Sequence, residues 1–216
     1  MRSRLDEQLG LLNRKMIELS AMCETMMTRA ARALVEGDPA LARQVVRDGS
    51  GIGPAGREIE GLCVRLLLQQ QPVAGDLRQI SAALKMVTDI QRIGDQAEDI
   101  AEIVPFLQGS SLEDGGLIRR LSAAAIRMVS QSIDAFVRAD AALAQDVIEQ
   151  DDGVDALFLE MKRLLIGSIA ENPGDGETAL DLLMISKYFE RIGDHAVNIA
   201  RWVIYSVTGE RKGEAQ

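Results

Sequence analysis

Two stretches of this 216-residue chain are nearly the same: RIGDQAEDIA at 92–101 and RIGDHAVNIA at 191–200. Seven of the ten positions are identical, and the second stretch begins 99 residues after the first. Two aspartates in helix-start contexts, Asp38 and Asp140, lie 102 residues apart. A recurrence at a nearly constant offset is the mark of a duplicated structural unit. We therefore predict that the chain contains two copies of one unit.

The composition favours an all-α protein. Hydrophobic residues make up 47% of the chain, whereas aromatic residues make up only 3%. The commonest residues are largely good helix formers, and runs of β-branched residues are scarce. The apolar fraction is sufficient for a packed core and argues against disorder.

Helix-start and helix-stop signals divide the chain into three predicted helices, a polar linker, and three more helices. Asp38, Asp76 and Asp140 stand where side chains cap helices, and Pro105 stands where a helix ends. The predicted helices span about 5–36, 39–71, 76–104, 117–138, 140–170 and 178–208. The fold prediction is two tandem three-helix bundles, at 1–108 and 117–216, joined by a linker at 109–116.

The second predicted helix contains a stretch that opposes helix formation, DGSGIGPAGRE at 48–58. Four glycines and one proline lie between Gly49 and Gly56. At about 1 kcal/mol for each glycine and 3 for the proline, they disfavour the helix by about 7 kcal/mol. We predict a kink, a break or a disordered turn here.

The two similar stretches belong to helices with the same apolar seam. The seam steps by four and three residues, which is typical of a helix packed along a neighbour. Its members are Ile185, Phe189, Ile192, Ala196, Ile199 and Val203 in the second copy, and Met86, Ile90, Ile93, Ala97, Ile100 and Val104 in the first. Gly94 and Gly193 sit beside the seam, so we expect a neighbouring helix to pass close to each.

Packing does not explain the polar residues of the repeat. Glu190, Asp194 and Asn198 form a stripe with a spacing of four residues, nearly opposite the seam. Asp151 and Asp155 show the same spacing on the preceding helix. Like charges at this spacing repel each other, and a bound cation would turn the repulsion into attraction. Oxygen ligands suit hard metals such as magnesium, calcium, manganese and iron.

The first copy keeps only part of this pattern. Its stripe is Gln91, Asp95 and Asp99, and glycines stand at the positions equivalent to Asp151 and Asp155. We therefore expect a weaker metal site there or none. The alternative for both copies is a solvated helix face, on which Arg92 or Arg191 pairs with the following aspartate three residues on.

Other features limit the class of protein. The net charge of −9 argues against a nucleic-acid partner, and Cys23 and Cys63 lack metal-ligand spacing. His195, the single histidine, is better explained as a surface or helix-face residue than as a ligand. There is no signal-peptide pattern at the start and no apolar run of spanning length, so we expect a cytoplasmic protein. We find no constellation for covalent catalysis and no phosphate-binding loop.

Taken together, these residues resemble the PhoU family of accessory and regulatory proteins of bacterial phosphate uptake. The resemblance rests on ALVEGDPALA at 33–42, QQPVAGDLR at 70–78 and the repeated RIGD stretches. It implies two similar three-helix bundles, often paired as homodimers. It also implies a multinuclear metal cluster, of iron or of zinc, manganese, magnesium or calcium, on acidic helix motifs. The motif matches Asp151–Asp155 and Glu190–Asp194, while Asp95–Asp99 is its remnant in the first copy.

The resemblance further implies a regulator rather than an enzyme. Such a protein would couple the ATPase subunit of a phosphate ABC transporter to a sensor histidine kinase, and so restrain uptake and the phosphate-starvation response. It would reach the membrane only through these partners. Two alternatives remain open: a metal-dependent phosphohydrolase using the acidic residues, and a purely structural helical scaffold.

Overall fold

The computed structural model describes residues 2–69, 72–107 and 116–210, and within these ranges the fold is helical without strands. The described residues form seven α-helices and two short 3-10 helices. The α-helices are α1 (Arg2–Glu36), α2 (Pro39–Gly49), α3 (Ile52–Gln69), α4 (Ala74–Ile103), α5 (Leu117–Arg138), α6 (Ala141–Glu171) and α7 (Gly176–Thr208). The 3-10 helices are Val104–Leu107 and Pro173–Asp175. The predicted all-α class is confirmed. The end predicted at Gln71 and the predicted linker, apart from Gly116, lie outside the described residues.

Two of the three predicted caps are confirmed. The Asp38 side chain accepts hydrogen bonds from the backbone N–H groups of Ala40 and Leu41, at 2.8 and 3.1 Å. Asp140 caps α6 in the same way, with both bonds at 3.0 Å. The predicted cap at Asp76 is wrong, because α4 begins two residues earlier and Val73 precedes it without a side-chain cap. Asp76 instead lies in the first turn, where its negative charge complements the helix dipole.

The predicted interruption of the second helix is confirmed, and it is short. Only Ser50 and Gly51 separate α2 from α3, and the Gly51 N–H donates to the Asp48 carbonyl at 3.1 Å. Gly53, Pro54 and Gly56 are all helical. Pro54 is the third residue of α3, in the first turn, where the N–H that proline lacks would have no intrahelical partner. The helical penalty of the stretch is therefore smaller than its composition suggests.

The repeated seams form the centres of the two units. All twelve predicted seam residues are buried, and Phe189 is among the largest side chains with no exposed surface. Burying an aliphatic or aromatic side chain of this size stabilises the fold by about 1.5–3 kcal/mol. The expected close approaches are also confirmed. A Cβ atom on Gly94 would lie 3.2 Å from both Cγ atoms of Ile52, and one on Gly193 would lie 3.4 Å from Cγ1 of Val154.

The two units pack against each other through α4 and α7. Nε2 of Gln96 lies 3.4 Å from Nε2 of His195, and these two residues are separated by the repeat offset of 99 positions. Asp89 accepts from Nδ2 of Asn198 at 3.3 Å, so an earlier residue of α4 meets a later residue of α7. The helices therefore run antiparallel, and equivalent residues of the two units face each other across a local pseudo-two-fold axis.

None of the described helices combines the length and the apolar character needed to cross a membrane.

Candidate metal centre

Four of the predicted ligand residues lie together where α6 packs on α7. Burial, and then the charges of Asp194, Asp155 and Glu190, raise the pKa of the Asp151 carboxyl to about 6, while the charge of Arg201 opposes them. Asp151 also projects towards α7, because its Oδ1 lies 3.6 Å from the Cβ position on Gly193. Asp151 of α6 therefore lies beside α7 and within the electrostatic influence of Glu190 and Asp194.

Glu190 is largely enclosed, with a side chain only 13% exposed. Nζ of Lys187 lies 2.5 Å from both carboxylate oxygens and donates a hydrogen bond to Oε1. The buried Oε2 receives no hydrogen bond of acceptable geometry. The Lys187 ammonium also lies over the Phe158 ring, 5.4 Å from its centroid. One acidic ligand candidate is thus already paired with a lysine cation, which a metal ion would have to displace.

The donor set fits a hard cation in its chemistry. Asp151, Asp155, Glu190 and Asp194 supply only carboxylate oxygens, which suit iron, manganese, magnesium and calcium better than soft metals. Within residues 2–69, 72–107 and 116–210, however, no three acidic, histidine or cysteine side chains are already close enough to enclose an ion. Holding a metal here would require the carboxylates to turn inward and Glu190 to exchange its contact with Lys187 for the metal.

Asn198 is directed away from this group. Its Nδ2 donates to Asp89 on α4, in the contact between the two units. The reason is geometric: residues four apart on a helix are displaced by about 40° around its axis, so Glu190 and Asn198 differ by about 80°. The predicted stripe therefore turns from α6 towards α4, and it is not the uniformly outward face that the sequence suggested.

The carboxylates of the first unit are arranged differently. Asp95 pairs with Nη1 of Arg92 at 3.5 Å, and both side chains are exposed. Burial raises the pKa of the Asp99 carboxyl, and the charges of Glu102 and Asp95 raise it further. These residues, with Glu98, all belong to α4 alone. These acidic side chains therefore form a stripe on a single helix of the first unit.

Glycines of the first unit make room for side chains of α4. A Cβ atom on Gly49, the position equivalent to Asp151, would collide with the Glu98 carboxylate. One on Gly56 would collide with the amide of Gln91. Burial also raises the pKa of Glu98, and the nearby charges of Glu102, Asp95 and Asp99 add to that effect. Sequence reasoning missed Glu98, although its position one turn after Asp95 was a usable signal.

A polar network between the units was also missed. His195 Nδ1 and Asp89 Oδ1 are 2.9 Å apart, and both side chains are largely buried. Asp89 additionally accepts from Asn198, and Gln96 contacts the other nitrogen of His195. The expectation that His195 is not a ligand stays a prediction, but its surroundings now give it a packing role. The usable signal was that positions 96 and 195 are equivalent in the two ten-residue stretches.

Comparison with known proteins extends these observations. The model of the PhoU domain matches the chain twice, at residues 16–104 and 118–203. A Rhizobium meliloti protein named phosphate-specific transport system accessory protein PhoU homolog is 31% identical over 209 residues, covering 96% of this chain and 88% of that protein. A protein of the same name from Pseudomonas aeruginosa is 36% identical over 196 residues, covering 90% and 81%.

The architecture agrees with these matches. The crystal structure of PhoU from Pseudomonas aeruginosa superposes with a TM-score of 0.92 at 34% identity, covering 95% of this chain and 99% of that chain. The helical unit is duplicated, the PhoU domain matches both copies, and the relatives are of nearly equal length. The chain therefore belongs to the PhoU family.

Proposed function

We propose that this protein is a cytoplasmic adaptor that regulates phosphate uptake. The observation that carries the proposal is the match of almost the whole chain to relatives named phosphate-specific transport system accessory proteins. Their accessory role in phosphate transport is the role we assign to this chain. A helical protein with a net charge of −9 and two non-equivalent halves suits a role in contacting other proteins.

In this proposal the chain links two partners. It binds the ATPase subunit of a phosphate ABC transporter and a sensor histidine kinase, and it restrains uptake and the phosphate-starvation response when phosphate is sufficient. It works as a homodimer and approaches the membrane only through these partners. The duplicated fold supports this arrangement because its two units carry different polar surfaces on the same packing framework.

We also propose that Asp151, Asp155, Glu190 and Asp194 hold a metal ion or a small metal cluster. The support is the repulsion that the charges of Asp194, Asp155 and Glu190 exert on the partly buried carboxylate of Asp151. A hard cation would neutralise their repulsion and fix α6 against α7. Of the other predicted ligands, Asp95 and Asp99 form at most a weaker site in the first unit, and Asn198 acts as an outer partner of the second.

The experiment pairs metal content with partner binding. The Asp194→Asn variant should lose metal in elemental analysis, whereas Asp146→Asn, an exposed acid on α6 outside the group, should keep it. Both variants, the wild type and a chelated wild-type sample are then captured with the purified transporter ATPase subunit. Loss of capture in the Asp194→Asn and chelated samples supports a metal-dependent adaptor. Full capture without metal would reduce the ion to an incidental feature.

Two further measurements distinguish a regulatory adaptor from an enzyme and from a structural scaffold. A phosphate-starvation promoter should stay repressed in phosphate-rich cells carrying the wild type and become active in cells carrying Asp194→Asn. Multiple-turnover hydrolysis of a phosphorylated substrate by the wild type, lost in the same variant, would instead indicate a phosphohydrolase. Full repression after neutralising all four carboxylates would indicate a structural scaffold.

A further inference from the structure

A groove of about 450 Å³ lies on the first unit, away from the acidic group of α6 and α7. One side is formed by α2, which contributes Arg43, Val46 and Arg47. The other side is formed by the end of α4 and the 3-10 helix that follows, which contribute Glu102 and Phe106. The groove thus combines apolar and cationic side chains on two elements that the fold holds together.

Phe106 is the main apolar feature of the groove. The chain has only seven aromatic residues, and this one is 76% exposed. It lies in the 3-10 helix after Pro105, so its backbone belongs to a regular element. The neighbouring Leu107 packs against the core, which fixes the segment beneath Phe106. Covering such a ring with another apolar surface is favourable by about 25 cal/mol for each Å² removed from water.

The two arginines supply a local positive charge on an acidic protein. Arg43 and Arg47 are one turn apart on α2, and both are exposed. Among the residues that the structure describes, neither guanidinium has a carboxylate within 4.0 Å. By contrast, Arg29 on the adjacent helix pairs with Asp48 at 2.8 Å. Two guanidinium groups therefore face one carboxylate, Glu102, across the groove.

The second unit shows that packing does not require this surface. At the offset of 102 positions, Arg43 and Arg47 correspond to Gln145 and Glu149, which hydrogen-bond to each other at 3.2 Å. At the offset of 99 positions, Phe106 corresponds to Tyr205, whose ring packs edge-on against Trp202 at 5.7 Å. The second unit thus has a polar pair in place of the two arginines, Arg201 in place of Glu102 and a packed aromatic ring in place of Phe106, while the buried seam is nearly the same in both.

We infer that the groove lined by Arg43, Arg47 and Phe106 binds an acidic segment of a partner protein that carries an apolar side chain between its carboxylates. Guanidinium groups recognise carboxylates in a fork geometry, and Phe106 with Val46 takes the apolar side chain. A free inorganic anion would leave the apolar wall unused, and a purely apolar segment would leave the arginines unused. The inference does not depend on the acidic group of α6 and α7.

The probe is a short fluorescein-labelled peptide with a repeating Asp-Leu-Glu-Phe sequence, titrated with the full chain and followed by fluorescence anisotropy. The wild type should bind it, with weaker binding at higher salt. A double variant with the residues of the second unit, Arg43→Gln with Arg47→Glu, should bind at least about fivefold more weakly. Phe106→Ser should weaken binding to a similar extent.

Matched controls make the result specific. Arg32→Gln removes a cation of an exposed pair on α1 and should leave the affinity unchanged. A peptide with lysine in place of its acidic residues should not bind. Because every substituted side chain is exposed, thermal unfolding should be the same for all variants, and metal content should be unaffected.

Three outcomes would overturn the inference. One is the absence of peptide binding to the wild type, or equal binding by the arginine variant. Another is displacement of the peptide by inorganic phosphate together with an unchanged affinity of Phe106→Ser, which would indicate a free-anion site. The last is a tenfold gain in affinity when Leu112, Glu113 and Asp114 are replaced by serine, which would show that the chain's own segment competes for the groove.

Discussion

Replacing Asp151 by asparagine should stabilise the metal-free protein at neutral pH. In the folded chain, burial and then the charges of Asp194, Asp155 and Glu190 raise the pKa of this carboxyl from 3.8 to about 6. Those neighbours are absent in the unfolded chain, so the folded state binds the proton more tightly. Stability is therefore highest when the group is protonated and is lost as pH rises from about 4 through about 6. Asparagine has nearly the same shape and carries no charge.

The size of the effect follows from the same values. The difference between a pKa of 3.8 and one of about 6 corresponds to about 3 kcal/mol at 1.4 kcal/mol for each pH unit. Asp151 is partly exposed, and solvent screens such interactions, so the expected gain is about 1–2 kcal/mol. It should be present at about pH 8, where the wild-type group is ionised, and absent at about pH 4.

Urea unfolding followed by circular dichroism, in the presence of a chelator, measures this difference. Asp146→Asn serves as the control, because that acid is exposed on the same helix outside the group and should change stability little at either pH. A gain of equal size at about pH 4 and about pH 8, or a loss at about pH 8, would refute the electrostatic explanation. In the presence of a metal that binds the site, the wild type should become more stable than Asp151→Asn, because the metal stabilises only the protein that binds it.

Two further predictions concern packing. Gly94→Ala places a Cβ atom 3.2 Å from Ile52 and should lower the unfolding free energy by about 1–3 kcal/mol, whereas Gly167→Ala, with open space around the new Cβ, should raise it by up to about 1 kcal/mol. Stabilisation by both substitutions in chemical denaturation would refute the close approach at Gly94. Asp89→Ala removes the acceptor of His195 and should cost about 1–3 kcal/mol, whereas Asp134→Ala in an exposed pair should change stability by less than about 0.5 kcal/mol. Similar values for the two aspartates would contradict a structural role for the network.

The fold was largely predictable because its signals are local. The caps at Asp38 and Asp140 identify the starts of α2 and α6, since a capping side chain bonds to the backbone just after it. The prediction that Asp76 caps α4 was wrong because an acidic residue in the first turn of a helix looks like a cap in the sequence. Only the backbone conformation distinguishes the two positions. The break at Gly51 was predictable in position, but its small extent was not. Pro54 happens to fall within the first turn of the new helix.

The candidate site was predictable within a unit but not between units. Helical spacing places Asp151 and Asp155 on one face of α6, and in the structure Asp151 projects towards α7. The same spacing could not show that α4 docks beside Asn198, because periodicity describes one helix and not its neighbours. For the same reason Asp89 was overlooked. It lies outside both ten-residue stretches and acquires its role only when the two units meet.

The contact between Gln96 and His195 has a consequence for how this protein keeps its two halves together. Residues related by the repeat offset touch, so each half presents to the other the surface that a symmetric dimer would present to itself. If the two halves were identical, each half could equally well associate with the same half of another chain. Asp89 on one side and His195 on the other break this equivalence, since Tyr188 and Gln96 stand at the matching positions. The chain thus resembles a heterodimer joined into one polypeptide. The polar pair of Asp89 and His195 favours association of the two different halves over association of two equal halves.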